Sequence, residues 1–223
     1  MGVIAEHIND IKSSLPSGVE LVAVSKFHPA GEVREAYDAG QRIFGESRVQ
    51  ELLPKRELLP EDIEWHFIGH LQTNKVKFIA PFISLIHSGD SEKLFNEINR
   101  SASACGKTVR CLLQLHVAAE ETKSGFTVEE AYEYMASGRW CELANVDICG
   151  VMGMASLTDD KSLIKKEFLT IRSVFDKLKS DYFAEKNRFS ICSMGMSHDY
   201  PIAVDCGTTM VRIGTDIFGE RVY

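Results

Sequence analysis

Several features are scarce or missing in this chain, and each removes a class of function. There is no basic tail or stripe: the net charge is -7, with acidic and basic residues mixed along the sequence. Nucleic acid and anionic membrane are therefore poor partners on electrostatic grounds. No apolar run approaches membrane-spanning length. The segment from Met1 to Asp10 lacks the basic start and apolar core of a signal peptide, so a cytosolic protein is expected. Cysteine is not rare, but Cys105, Cys111, Cys141, Cys149, Cys192 and Cys206 form no C-x-x-C pair or ligand-like cluster. Several lie in or beside apolar runs, which points to buried reduced thiols rather than disulfides or a zinc site. His66 and His70 are four apart, but Trp65-His66-Phe67-Ile68-Gly69 reads as a strand and its exit, so no metal is expected there. No G-x-G-x-x-G follows a strand, which removes the main signature of a dinucleotide-binding sheet. No linker or low-complexity segment divides the chain.

What is present is regular alternation. Short apolar runs occur at Leu21–Val24, Arg42–Phe44, Trp65–Ile68, Ile83–His87, Val109–Leu115, Val146–Val151, Phe189–Cys192 and Met210–Ile213. Helical patterns lie between them. Pro29 to Gly40 opens on proline and closes on glycine, and Ser91 to Cys105 carries a Leu94/Ile98/Ala102/Cys105 stripe. Asp160 to Tyr182 spaces Ile164, Phe168, Ile171, Phe175, Leu178 and Tyr182 at helical intervals, a core-facing pattern. Residues 1 to about 15 read as a helix before the first strand. Eight strand–helix units in 223 residues, with no spare segment, predict an α/β fold: a single (β/α)8 barrel domain spanning 1–223.

In such a barrel the chemistry gathers at the C-terminal strand ends. Lys26 follows the first run, sharing the face of Val22 and Val24 by strand alternation. It is either a lysine that snorkels into solvent or an amine of lowered pKa suited to Schiff-base chemistry with a carbonyl. The loops after runs seven and eight, Ser193-Met194-Gly195-Met196-Ser197 and Gly214-Thr215, offer hydroxyls and backbone N–H groups where these barrels bind phosphate. Arg212 shares the inward face with Met210 and Gly214. As a buried cation it needs acceptors, supplied either by a ligand or by Asp205, Asp216 or Glu46. Met152-Gly153-Met154 echoes Met194-Gly195-Met196, each after a strand-like run.

The segments VSKFHP, FGESRVQE, WHFIGHLQTNK, HSGDS, ETKSGF, GVMGMAS, SMGMSHDYPIAV and VRIGTDIFGER occur in that order from about Val19 to the C-terminus. Together they resemble the YggS/PROSC family of pyridoxal phosphate homeostasis proteins. The resemblance implies an alanine-racemase-like barrel with pyridoxal 5′-phosphate (PLP) held as an aldimine on Lys26. It further implies that Arg212 faces the pyridine nitrogen, and that Ser193, Ser197, Gly214 and Thr215 hold the phosphate. Ser47 stands where the family pattern usually has asparagine, and the leader before the first strand is short.

An arginine opposite the pyridine nitrogen leaves the ring largely unprotonated and weakens it as an electron sink. Alanine racemases use a similar arginine but add a second domain and a tyrosine base. Here the chain runs only eight residues past Thr215, to Tyr223, which is either a stand-in for that tyrosine or a frayed terminal residue. The expectation is a PLP-binding protein without strong catalytic activity of its own. It would act in PLP homeostasis and pass cofactor to recipients such as apo PLP-dependent enzymes. With no second domain to form the racemase dimer, a monomer is expected. The alternative is a weak one-base amino-acid racemase.

Overall fold

The computed structural model describes residues 2–118, 124–185 and 188–220. After helix α1 (Val3–Ser14), strands and helices alternate. They are β1 (Glu20–Val24), α2 (Ala30–Asp38), β2 (Ile43–Glu46), α3 (Val49–Leu58), β3 (Glu64–Phe67), α4 (Thr73–Ile79), β4 (Leu85–Gly89) and α5 (Glu92–Ala104). Then follow β5 (Val109–Leu115), α6 (Val128–Ala136), β6 (Val146–Gly153), α7 (Lys161–Tyr182), β7 (Ile191–Ser193), α8 (Tyr200–Asp205), β8 (Met210–Ile213) and α9 (Thr215–Phe218). The strands close into a barrel in chain order, β8 lying parallel to β1 with Arg212 opposite Val22. This is the expected (β/α)8 barrel.

Strand alternation sorts the side chains into two cores. Val22, Leu85, Leu112, Cys149, Met152, Ile191 and Met210 pack together inside the barrel. Their neighbours, such as Leu21, Ala23, Ile86, Val151 and Val211, pack outward against the helices. On α7 the expected stripe is buried from Ile164 to Leu178, and Asp160 caps the helix by accepting from the N–H groups of Ser162 and Leu163. Gly153 lets α7 sit close, since a β-carbon there would lie 2.4 Å from Ile171 Cδ1.

Boundaries differ from the sequence reading where turns compete with apolar runs. β1 stops at Val24, so Ser25 and Lys26 belong to the turn that follows. β7 starts later than expected and reaches Ser193, which puts that residue on a strand rather than in a loop. All six cysteines are free, four of them buried, while Cys141 is exposed and Cys105 half-buried. Burial raises the Cys149 and Cys192 thiols to about 11 and about 12. Among the described residues no helix is long and apolar enough to cross a membrane, and no group of His, Cys, Asp or Glu is arranged to hold a metal ion.

Candidate functional site

Lys26 sits in the β1–α2 turn, half-buried, between two residues that are each tied down. Before it, the buried Ser25 hydroxyl donates to Glu46 Oε1 (2.7 Å), and its carbonyl accepts from Lys55 Nζ (2.7 Å). Lys55 also pairs with Glu46, and both are buried. Burial pushes the Glu46 carboxyl up, while Lys55 pulls it back. After it, Phe27 has φ +68°, among the described residues the one non-glycine in left-handed conformation. That conformation costs about 1–2 kcal/mol for a residue with a β-carbon. Two contacts hold it: the Phe27 N–H donates to Glu51 Oε2 (2.9 Å), and the Arg48 guanidinium lies 4.8 Å from the ring centroid. The backbone that carries Lys26 is thus gripped on both sides.

Arg212 projects into the barrel from β8 and is 4% exposed. Its Nη1 donates to the Ser193 carbonyl (2.9 Å) and hydroxyl (2.6 Å), and its Nη2 donates to the Gly153 carbonyl (3.0 Å). Its backbone N–H donates to the Gly195 carbonyl (2.9 Å). The two Met-Gly-Met segments therefore act alike, the glycine of each presenting a carbonyl to Arg212. Gly195 has φ +96°, and a β-carbon there would come within 2.7 Å of Ala203 Cβ. Burial draws the guanidinium down to about 10, against the opposing charge of Asp199, so it stays a cation at neutral pH. None of the carboxylates weighed as partners from the sequence, Asp205, Asp216 or Glu46, bonds to it; Glu46 is taken by Lys55.

Ser193 lies deeper than a phosphate loop would place it. Besides accepting from Arg212, its hydroxyl is 3.2 Å from His87 Nδ1, and His87 Nε2 is 3.1 Å from His66 Nδ1. His66 serves this buried chain, while His70 pairs with Asp90 (3.0 Å) at the surface. Nearer the mouth, Ser197 is half-buried and Thr215 is exposed at the start of α9. Asp199 Oδ1 accepts the Met196 N–H (2.6 Å) and closes the loop that carries Ser197. Gly214 keeps this edge open beside β1, since a β-carbon there would lie 3.1 Å from the Val24 carbonyl oxygen. Because β8 pairs with β1, Gly214 and Thr215 follow Ile213, the register partner of Ala23, and stand beside the Lys26 turn.

Ser47 lines a cavity of about 520 Å³ over the ends of β2 and β3, with Arg48, Glu51, His70, Gln72 and Lys75. Gly69 packs on it so closely that a β-carbon would meet the Ser47 carbonyl oxygen at 2.4 Å. Tyr223, and Glu121 to Lys123 of the ETKSGF segment, lie outside the described residues.

The sequence reading missed Lys55, Glu51 and His87 as parts of the site. A polar residue on the inward alternation of β4, two after Leu85, was the available signal for His87. Glu51 closes the FGESRVQE segment without a role read from it, and nothing local marked Lys55.

The Lys26 turn after β1, the barrel-interior Arg212 on β8 and the edge between them are the site's frame, and the chain as a whole is similar to known proteins. Residues 1–222 match the family model for the alanine racemase N-terminal domain. The chain is 40% identical over 208 residues to the pyridoxal phosphate homeostasis protein of Aquifex aeolicus, covering 92% of this chain and 88% of that one. It is 38% identical over 219 residues to the protein of the same name from Synechocystis, covering 96% and 97%. Its fold matches PipY of Synechococcus elongatus, 37% identical, with TM-scores of 0.90 for the form without PLP and 0.87 for the form with PLP bound. Each of those matches covers 97% of this chain and 100% of PipY. Alanine racemase of Clostridium difficile shares the fold alone, at TM-score 0.76 and 18% identity over 55% of its length. The chain belongs to the pyridoxal phosphate homeostasis protein family, on a barrel of the alanine racemase N-terminal type.

Proposed function

We propose that this protein binds PLP at the C-terminal mouth of its barrel and serves PLP homeostasis by holding the cofactor and giving it up. The observation that carries this reading is the buried Arg212, whose side chain among the described residues bonds to three neutral oxygens and to no carboxylate, one strand away from the Lys26 turn. A cation kept without a bonded counter-charge suits an electron-rich ring nitrogen or another acceptor at the mouth. PLP supplies an aldehyde and an electron-withdrawing pyridine ring. Lys26 Nζ would condense with that aldehyde, releasing water and forming a Schiff base. Ser197, the Gly214 backbone and the Thr215 hydroxyl would receive the phosphate. Ser193, expected from the sequence as a phosphate ligand, is assigned here to orienting Arg212, because its hydroxyl is already engaged there.

The donor set fits a holder better than a strong catalyst. Arg212 can donate a hydrogen bond to the ring nitrogen but is a poor proton donor to it. We read the protein as a monomer whose recipients are apo PLP-dependent enzymes, with amino-acid turnover slow or absent.

The test is titration of the apo protein with PLP, followed by visible absorbance, beside Lys26→Ala. The native protein should develop the absorbance of the lysine-linked cofactor, and the variant should lose it completely while keeping some PLP through its phosphate. An unchanged spectrum in the variant would remove Lys26 from the site. Incubating the loaded protein with amino acids in D2O separates holder from racemase: Lys26-dependent exchange of the α-proton at an enzyme-like rate would favour the racemase.

A further inference from the structure

A chain of polar side chains runs down the barrel axis from Arg212. Ser193 Oγ stands between Arg212 Nη1 (2.6 Å) and His87 Nδ1 (3.2 Å), and His87 Nε2 meets His66 Nδ1 (3.1 Å). Ser193 and His87 are fully buried, and His66 is 2% exposed. The far end is a cavity of about 430 Å³ at the barrel base, lined by His66 together with Arg110, Glu20 and Glu64. His66 bonds through Nδ1, and its Nε2 has no protein partner among the described residues.

Two polarities satisfy these distances. In one, the Ser193 O–H donates to His87 Nδ1, His87 Nε2–H donates to His66 Nδ1, and His66 Nε2–H faces the basal cavity. In the other every bond is reversed, so Ser193 Oγ accepts from both Arg212 and His87 and its own proton needs a further acceptor. The described residues provide none within hydrogen-bond distance. A buried hydroxyl proton without a partner is costly. The Arg212 cation also favours the first polarity, because it turns the positive end of each dipole away from itself in a low-dielectric interior. Arg110 at the other end opposes it, but that residue is exposed and screened.

We propose that His87 and His66 are positioning residues for Arg212, forming with Ser193 a one-directional hydrogen-bond relay in which both imidazoles are held neutral as the Nε2–H tautomer. The relay fixes the Ser193 rotor, and the rotor fixes the guanidinium edge presented at the mouth. Burial supports the neutral state: His66 is lowered to about 3, and His87 is also lowered, with Arg212 and His66 adding to the effect. What the relay does for the cofactor rests on the proposed site; the tautomers are a property of the protein alone.

The experiment is long-range 1H–15N correlation NMR on protein labelled at histidine nitrogen, with and without PLP. The expected result is a proton on Nε2 of both His66 and His87, with shifts unchanged over about pH 6 to 8, where an ordinary histidine titrates. Ser193→Ala should shift the His87 resonances, and those of His66 beyond it, whereas Ser193→Thr should restore both. A proton on Nδ1 of either ring, titration in that range, or a Ser193→Ala protein in which only His87 responds would overturn the relay. The native tautomers decide the matter even if the alanine variant fails to fold. With PLP added, the His87 signals should move as Arg212 takes up the ring. Nε2–H tautomers that ignore PLP would uphold the relay and refute the placement of the ring on Arg212.

Discussion

The two sides of the mouth handle charge in opposite ways. On the β1–β2 side the charged groups that hold the Lys26 turn are paired with each other: Lys55 with Glu46 in the interior, and Arg48, 3.7 Å from Glu51. On the β7–β8 side Arg212 is as deeply buried as Glu46 and Lys55, yet carbonyls and a hydroxyl hold it, and no carboxylate among the described residues bonds to it. Ion pairing on the first side spends its energy on backbone geometry, holding a turn that contains a left-handed phenylalanine. Neutral acceptors on the second side fix a guanidinium in place, and the buried Asp199 offsets part of its charge without bonding to it. The first side holds the turn that carries the Lys26 amine, and in the proposed site the second would present the guanidinium to the cofactor.

Breaking the pair on the first side should have the largest effect. Lys55→Met leaves Glu46 buried and uncompensated and removes the donor to the Ser25 carbonyl. About 3–5 kcal/mol of stability should be lost in urea unfolding at neutral pH. A loss below about 1 kcal/mol would mean that the turn is held by Phe27 and Glu51 alone.

Next in size is a pH effect from the interior behind Arg212. A histidine lowered by burial binds its proton more weakly in the folded than in the unfolded chain. The stability it supports is complete above its ordinary value of 6.5 and is lost as pH falls towards about 3 for His66. The slope should approach about 1.4 kcal/mol per pH unit for each such histidine. Denaturant titrations at several pH values measure it, and His66→Gln should flatten the curve by one histidine's share. A native protein whose stability is level across that range would contradict neutral buried imidazoles.

Gly195 tests whether the second side depends on backbone placement. Gly195→Ala puts a β-carbon at φ +96° and 2.7 Å from Ala203, which should cost about 1–3 kcal/mol and loosen the carbonyl that holds the Arg212 N–H. Gly18→Ala is the control, since φ there is +89° but a β-carbon would meet nothing within 4 Å. Equal losses in the two would show that only the left-handed conformation matters.

Thr215→Val should give the smallest change. It removes one exposed hydroxyl from the proposed phosphate edge and should weaken PLP affinity about tenfold, with the absorbance maximum unmoved. A displaced band at unchanged affinity would put Thr215 against the ring instead.

Much of this was legible in the sequence because barrels repeat a simple rule. Apolar runs separated by helical stripes predicted eight strands in the right order, and alternation along β8 put Arg212 inside with Met210. The Met-Gly-Met echo was visible, but its purpose depends on carbonyls, which carry no sequence signature. Ser193 reads as a loop residue from the sequence, but β7 lies further along the chain than its apolar run, and that shift sets its hydroxyl against Arg212 inside the barrel. The supports of Lys26 were illegible for a different reason. Glu51 and Lys55 lie on α3, far from Lys26 in sequence, and only the parallel pairing of β1 with β2 brings them to it. The left-handed backbone of Phe27 is unusual for an aromatic residue, so its conformation follows from Glu51 and Arg48 rather than from local preference.

The most direct test of the central claim is borohydride reduction of the PLP-loaded protein, followed by peptide mass mapping. The account predicts a single reduced pyridoxyl adduct on Lys26, absent from Lys26→Ala. An adduct on another lysine, or none at all while PLP remains bound, would contradict it.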